Sequence, residues 1–386
     1  MKNKKVIALI GTTGASFYGF RADLIKQLIS EGHNVYAFTS EYTEQCLDKI
    51  KALGAIPVTY ELSRGSLNPF LDISSYFQLK RKLYKLKPDI VFSYFAKPVI
   101  YGSIAAKFAK VPLIIGMLEG LGYTFTDQPD GIAKKTKLIK TIQVYLYKLA
   151  FPCLNKIIFL NSDDKHDLID KYSIKVPEVH ILGGIGLHLE QYPYSIASFD
   201  PVNFLFIGRL LKEKGVFEFI QAIRIVKLKY PNAHFTILGE IDHQNMGALK
   251  QEQLDQLIEE KLFEYPGYVT NVKDWIMKTS VFVLPSYREG VPRSTQEAMA
   301  IGRPVISTNV PGCRETVVNG LNGFLVPKWN PEALAEKMCY FIENPQMINV
   351  MGLESYKIAQ KNFDAYKVNK KLFEIMGLDN IDETIC

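Results

Sequence analysis

Short apolar runs alternate with helix-spaced segments along the whole chain. KVIALIG (5–11) is an unbroken apolar run closed by glycine, the pattern of a parallel strand buried on both faces. Similar runs return at 34–40, 56–62, 88–95, 112–120, 156–162 and 179–186. Between them, helical spacing is read over 20–31, where Phe20, Leu24, Ile25 and Leu28 mark one face, and over 43–53, 71–86, 99–109 and 132–150. YPYSIASFDP (192–201) has two prolines and no period, and reads as a linker. A second series follows, with strands expected at 203–209, 233–240, 263–269, 280–286, 303–309 and 323–327. Its helices are expected at 215–229, 249–261, 271–278, 293–301 and 331–343, and 346–376 reads as a helical tail.

Strand–helix alternation of this kind predicts an α/β chain with parallel, doubly wound sheets. Right-handed crossovers then place the strand-end loops on one sheet edge. The expected organisation is a Rossmann-like domain over 1–192, a second over 200–361, and a tail over about 362–386 that packs back on the first. A chain of 386 residues suits two domains. With 47% hydrophobic and 22% charged residues it is neither disordered nor collagen-like. No apolar run approaches the ~18 residues of a membrane-spanning helix. The apolar run Val6 to Ile10 is too short for a secretory signal and reads as a first strand. Five cysteines without a CxxC pair fit a reducing cytoplasm and no zinc site.

Charge is unevenly placed. Residues 1–195 carry 25 Lys and Arg against 17 Asp and Glu, whereas 196–386 carry 21 against 23. The basic half points to an anionic partner: nucleic acid, an anionic membrane surface or a phosphorylated substrate. The plain alternative is a solvated lysine-rich surface. The absence of a helix-turn-helix or zinc pattern argues against nucleic acid. His33, His166, His180, His188, His234 and His243 are dispersed with no pair at metal spacing.

The densest chemistry lies in SYREGVPRSTQEAMAIGRPVISTNVPGCRETVVNGLNGFLVP (286–327). Glu289 is expected at a strand end and Glu297 inside the next helix. Gly290 permits a tight turn and close backbone approach, and Pro292 suits the first helical turn. The helix start favours an anion through its free N–H groups and dipole. Two carboxylates so spaced reach the two ends of a polyhydroxylated ligand, although a capping Glu and a solvent-facing Glu would look the same. In FIGRLLKEKGVFEFI (206–220), Gly208 closes a strand, Arg209 follows, and Lys214 and Gly215 open a helix. Cations at such an edge suit a diphosphate and the charge growing on a leaving phosphate.

The set GRLLKEKG, ILGE, SYREGVPRSTQEAMAIGRPVI and NGLNGFLVP resembles family 4 of the retaining, nucleotide-sugar-dependent glycosyltransferases. The likeness covers nearly the whole chain. It implies the GT-B fold, two Rossmann-like domains facing across a cleft. The family's Glu-x7-Glu pattern falls on Glu289 and Glu297. By the resemblance Arg209 and Lys214 bind the donor diphosphate, Glu289 holds hydroxyls of the donor sugar and Glu297 those of the ribose. Gly208, Glu240, Gly290 and Val291 complete the donor side. The resemblance implies no metal and no cofactor, in keeping with the lack of an Asp-x-Asp motif beside these signals.

In the first half, GASFYGFR (14–21), ELSRGSLNPF (61–70), FAKPVIYGSIAAKFAKVP (95–112) and MLEGLGYTFTD (117–127) resemble a narrower group. Its members extend undecaprenyl-diphosphate-linked sugars in N-glycan, O-antigen and capsule assembly. That likeness puts Gly14, Ser16, Arg21, Arg64, Lys97 and Glu119 on the acceptor side. The chain departs from many family members in having Glu119-Gly120-Leu121-Gly122 after a strand where a histidine is common, Gly184-Ile185-Gly186 where an Asn-Gly-Val-Asp turn is common, and Arg293 where an apolar residue is common. Arg293 is thereby expected to face the donor phosphate or sugar.

The implied activity is metal-independent, retaining transfer of a hexosyl unit from a UDP-sugar, UDP-N-acetylgalactosamine among the candidates, to an undecaprenyl-diphosphate-linked saccharide. A nucleotide-sugar epimerase of the same fold and a non-catalytic nucleotide-sugar-binding protein remain as alternatives. Residues 64–87 and 134–156 are lysine-rich with interleaved apolar side chains, which suits peripheral docking on an anionic inner-membrane face as well as it suits packed helices with wet lysines.

Overall fold

Every apolar run expected as a strand forms one in the computed structural model, which describes residues 4–41, 43–62, 69–242, 245 and 247–378. The first sheet contains β1 (Val6–Ile10), β2 (Asn34–Thr39), β3 (Ile56–Thr59), β4 (Ile90–Tyr94), β5 (Leu113–Leu118), β6 (Lys156–Phe159) and β7 (Glu178–Ile181). Its strands are parallel in the order β3-β2-β1-β4-β5-β6-β7. The second contains β8 (Asn203–Ile207), β9 (His234–Leu238), β10 (Glu264–Gly267), β11 (Val281–Leu284), β12 (Val305–Thr308) and β13 (Gly323–Val326). It is also parallel, in the order β10-β9-β8-β11-β12-β13.

Strand composition follows position in the sheet. The central VIALI and IVFSY are buried along nearly their whole length, because helices cover both faces. The edge strands IPVT, EVHI and EYPG are half-exposed and tolerate proline and charge, since one side of each has no ladder to complete. In both sheets the strand order reverses beside the first strand, between β1 and β4 and between β8 and β11. Crossovers leave in opposite directions there, so the loops at the carboxyl ends part and leave a crevice.

The helices differ from expectation in three places. The helix expected from 20 begins at Ala22, with a separate short turn at Ala15–Tyr18 before it, and Phe20 is left partly exposed. The helix expected over 99–109 starts as a wide turn, Pro98–Gly102, and continues as Ser103–Phe108. The tail is two helices, Gln346–Asn362 and Ala365–Met376, interrupted where Leu187 bridges Asp364.

The chain divides into two compact units. One comprises Met1–Leu121, Lys134–Ile185 and Tyr366–Cys386; the other comprises Gly122–Ala133 and Gly186–Ala365. The segment 122–133 is tied within the second unit, where Asp127 meets Lys328 at 2.8 Å and Asp130 meets Lys212 at 3.0 Å. The 192–201 stretch is clasped by Arg303, which is fully buried. Its guanidinium donates to the carbonyls of Ser195 (2.7 Å), Ile276 (3.0 Å) and Met277 (3.0 Å) and to Ser195 Oγ (2.7 Å). Burial pushes this guanidinium down to about 10.

Candidate functional site

At the reversal point of the second sheet, the loops leaving β8 and β11 lie side by side. Gly215 makes this possible: its φ is +75°, and a Cβ there would lie 2.1 Å from the Pro285 carbonyl oxygen. It caps the helix Val216–Lys229, so the turn carrying Lys214 is pressed against the end of β11. The Tyr287 amide donates to the Glu213 carbonyl at 2.8 Å and joins the two loops.

Lys214 and Glu289 thereby meet. The Lys214 ammonium donates to Glu289 Oε1 at 2.5 Å, and the Ser286 hydroxyl donates to the same oxygen at 2.7 Å. The two charged side chains are only 21% and 11% exposed. Glu289 does not end a strand, as the sequence suggested. β11 stops at Leu284, and Glu289 lies in the following loop, its amide bonded to the Pro311 carbonyl at 3.0 Å. The loop after β12 fits this closely because Gly312 has φ +78° and a Cβ would lie 2.2 Å from the Glu289 carbonyl oxygen. Beneath it, burial and then the Glu289 charge push the Cys313 thiol up to about 12.

Arg209 follows β8 and Gly208, and its guanidinium reaches Asp242 Oδ2 at 2.5 Å. Glu240 is exposed on the same edge, and its carbonyl accepts from the Leu210 amide at 2.9 Å. Glu213, between the two cations in sequence, is almost entirely buried, and its Oε2 has no hydrogen-bond partner. Burial raises its carboxyl above the ordinary range, against the pull of Lys214 and Arg209.

Gly290 and Val291 are buried beside Glu289. Pro292 is the N-cap of the helix Arg293–Ile301, one position before the first turn where the sequence put it. One turn into that helix, Glu297 Oε1 accepts from Arg293 Nε at 3.0 Å and from the Tyr192 hydroxyl at 2.9 Å. Arg293, expected to face the donor, is thus engaged with Glu297. Burial and the Glu297 charge push the Tyr192 hydroxyl up to about 12. Tyr192, Ser286 and Asp242 escaped the sequence reading. Tyr192 lies in an unpatterned linker. Asp242, two residues past ILGE, occupies a strand-end loop and so had a positional signal.

The first unit has its own cluster at the β1/β4 reversal. Gly14 donates its amide to Glu41 Oε2 at 2.8 Å, and a Cβ there would collide with Cys46 Sγ at 1.8 Å. Ser16 Oγ donates to the Thr13 carbonyl at 2.5 Å and lies 3.2 Å from the Tyr94 hydroxyl. Arg21 is buried, with its guanidinium 5.1 Å over the Tyr94 ring, and forms a short ion pair with Glu119. Lys97 pairs with Asp72 at 2.8 Å, and the Tyr101 hydroxyl donates to the other oxygen of Asp72 at 2.9 Å. Arg64 lies outside the described residues. Among the described residues no group of three or more His, Cys, Asp or Glu side chains is arranged to hold a metal ion. No described helix is long and apolar enough to cross a membrane.

Residues 6–161 match the model of the "Glycosyl transferase 4-like" family, and residues 201–344 that of "Glycosyl transferases group 1". The N,N'-diacetylbacillosaminyl-diphospho-undecaprenol alpha-1,3-N-acetylgalactosaminyltransferase of Campylobacter jejuni is 30% identical over 356 residues, 88% of this chain and 90% of that one. The chain belongs to the group 1, family 4 glycosyltransferases. The UDP-Gal:alpha-D-GlcNAc-diphosphoundecaprenol alpha-1,3-galactosyltransferase of Escherichia coli is a further relative, 26% identical over 80% of this chain and 79% of its own. The structure of Anabaena Alr3699/HepE in complex with UDP superposes with a TM-score of 0.75 at 16% identity, covering 97% of this glycosyltransferase and 100% of that chain. The seven- and six-stranded parallel sheets are those of the GT-B fold. In this glycosyltransferase the Glu-x7-Glu pair is divided between a loop and a helix, and each carboxylate is already held by a cation.

Proposed function

We propose that this glycosyltransferase moves a hexosyl unit from a UDP-sugar, with retention, onto an undecaprenyl-diphosphate-linked saccharide at the inner membrane face. The product would enter bacterial surface polysaccharide or a glycoprotein glycan. The observation that carries the reading is the Lys214–Glu289 pair at the reversal point of the second sheet, with Arg209 on the adjoining edge. A diphosphate brings two negative charges that need fixed cations. Lys214 is held against Glu289, so its ammonium is oriented before the donor arrives. Arg209 is half-exposed and able to exchange Asp242 for phosphate oxygens. Glu289 has a second oxygen to accept hydrogen bonds from sugar hydroxyls, and Glu297 is disposed to accept those of the ribose.

The bond from the anomeric carbon to the phosphate oxygen breaks, and a bond from that carbon to an acceptor hydroxyl oxygen forms on the same face. The hydroxyl proton passes to the departing phosphate oxygen, and UDP leaves. Lys214 and Arg209 stabilise that phosphate as charge develops, the largest single contribution in such steps. On this reading no metal is needed to neutralise it. The donor and acceptor classes draw support from the relatives, named for undecaprenol-diphosphate acceptors and in one case for a UDP-galactose donor. N-acetylgalactosamine is the sugar we assign, by likeness to the Campylobacter enzyme. Gly14, Ser16, Lys97 and Glu119 would lie on the acceptor side, with Arg21 acting through Glu119. The test is incubation with radiolabelled UDP-sugars and undecaprenyl-diphosphate sugars. Label in the lipid phase with UDP-N-acetylgalactosamine is expected. Label with another UDP-sugar alone would overturn the sugar assignment, and epimerised nucleotide sugar without transfer would overturn the reading.

A further inference from the structure

The helix Lys134–Ala150 has two apolar faces where a packed surface helix needs one. Val144, Tyr147 and Ala150 are buried toward the protein. Leu138, Ile142, Tyr145 and Leu149, at the i, i+4, i+7, i+11 spacing of a single stripe, are each at least half exposed. The stripe lies almost opposite the packed face. Around it are Lys134, Lys135, Lys137 and Lys148, all exposed, and the helix contains no acid. The helix Pro69–Leu86 repeats the arrangement. Its Ile73, Phe77 and Tyr84 share an exposed face with Lys80, while Leu79 and Leu83 are buried. Its one acid, Asp72, is taken by Lys97.

These helices are not scattered over the first unit. Both pack against the segment 98–108. Phe108, at its end, is more than half exposed. Tyr76 lies edge-on to Phe77 and to Phe108, with centroids 5.0 Å and 6.3 Å apart, and Lys80 Nζ sits 5.3 Å over the Phe108 ring. Three neighbouring helices therefore present aromatic and aliphatic side chains fringed by lysines.

We propose that this three-helix face of the first unit docks on an anionic lipid leaflet, with the Leu138–Leu149 stripe, Phe77 and Phe108 entering the headgroup–acyl boundary. The inference rests on the proposed lipid-linked acceptor for its biological meaning, but on the exposed stripes and lysines for its physics. The lysine excess is what selects a bilayer. A protein partner would have to supply a matching row of acids at fixed positions, whereas an anionic leaflet offers mobile phosphates to any lysine spacing. Long lysine stems also let the ammonium groups reach phosphates while the stripe dips ~5–10 Å below them.

The test uses the full chain and vesicles of phosphatidylglycerol with phosphatidylethanolamine, or of phosphatidylcholine alone. Sedimentation should show at least ~10-fold stronger partition to the anionic vesicles. Lys134→Gln/Lys135→Gln/Lys137→Gln should weaken it by about 10²-fold at physiological salt and little in 1 M salt, at ~1 kcal/mol per lysine. Leu138→Ser/Ile142→Ser/Tyr145→Ser should weaken it at both salt concentrations without moving the thermal midpoint. Equal partition to both vesicle types, or wild-type partition by both variants, would overturn the proposal. So would a lipid-free dimer that the serine variant turns into monomer by light scattering, because a second copy would then cover the stripe. Transfer assays separate this from the functional reading. Stripe-dependent vesicle binding with no transfer to any lipid-linked acceptor would sink the activity and leave the docking face standing. Transfer with unaltered vesicle binding in both variants would do the reverse.

Discussion

Lys214 is where structural and catalytic readings diverge most sharply. Lys214→Met keeps most of the stem and removes the ammonium that lies 2.5 Å from Glu289 Oε1. At an effective dielectric of ~20, two charges ~4 Å apart attract by about 4 kcal/mol, and most of that is offset by desolvation of both groups. Glu289 keeps the Ser286 hydroxyl at 2.7 Å and some solvent. The stability loss should therefore fall below the 3–5 kcal/mol of a fully buried orphan, at about 1–3 kcal/mol. At ~2–4 °C per kcal/mol for a domain of this size, the thermal midpoint should drop by several degrees. The rate should fall much further, by ~10²–10³-fold, the scale of losing one charge-stabilising group in a transition state. Adding Glu289→Gln removes the orphaned carboxylate. In the double variant the melting temperature should return most of the way, while transfer of label from UDP-sugar to lipid acceptor stays low. Recovery of the rate together with the melting temperature would refute the argument, since Lys214 would then be only a counter-ion for Glu289.

Arg209→Ala should lower turnover by at least ~10²-fold with a thermal midpoint within a degree or two of wild type, because its side chain is already half in water. Wild-type rates would remove it from the donor site. Transfer should survive excess EDTA; activity lost to EDTA and restored by Mn²⁺ would mean that the diphosphate is neutralised by metal. Glu213 has a raised carboxyl pKa, so its folded form holds a proton that the unfolded chain releases, and stability falls as pH rises through that raised value. Glu213→Gln should therefore melt higher than wild type at pH 8 and close to it at pH 4.5; an equal gain at both would show that Oε2 is not the cause.

The strand series was legible because buried parallel strands need unbroken apolar runs, and all of them formed. The glycines around the Lys214–Glu289 pair were legible in part. GRLLKEKG predicted that Lys214 and Gly215 open a helix, and Gly215, with a left-handed backbone, caps Val216–Lys229. What could not be read was pairing across distance. Lys214 and Glu289 are 75 residues apart and Arg21 and Glu119 are 98 apart, and no local pattern says which cation a carboxylate will find. Resemblance alone put Arg21 on the acceptor side, and its burial against Tyr94 depends on how β4 and β5 flank it. The attachment of 122–133 to the second unit was hidden for the same reason, since Asp127 and Asp130 find lysines in loops far along the chain. The break in the tail at Phe363 carries neither proline nor glycine. It follows from a bridge to Leu187 that only the folded chain brings near.

That bridge sits where the chain leaves the second unit for the first, and the helix Ala365–Met376 belongs largely to the first, burying Val368, Leu372 and Phe373. During synthesis the first sheet emerges early, yet this helix is made after the whole second unit. At ~5–20 residues per second, the delay between β7 and the closing helix is on the order of ten to forty seconds. Through that interval the nascent first unit lacks its last layer and exposes the apolar seat meant for it. A chaperone, or an early hold on the membrane through the lysine-fringed helices, would have something to protect. Premature termination just before the closing helix should therefore yield an aggregating chain even though every strand of both sheets is present.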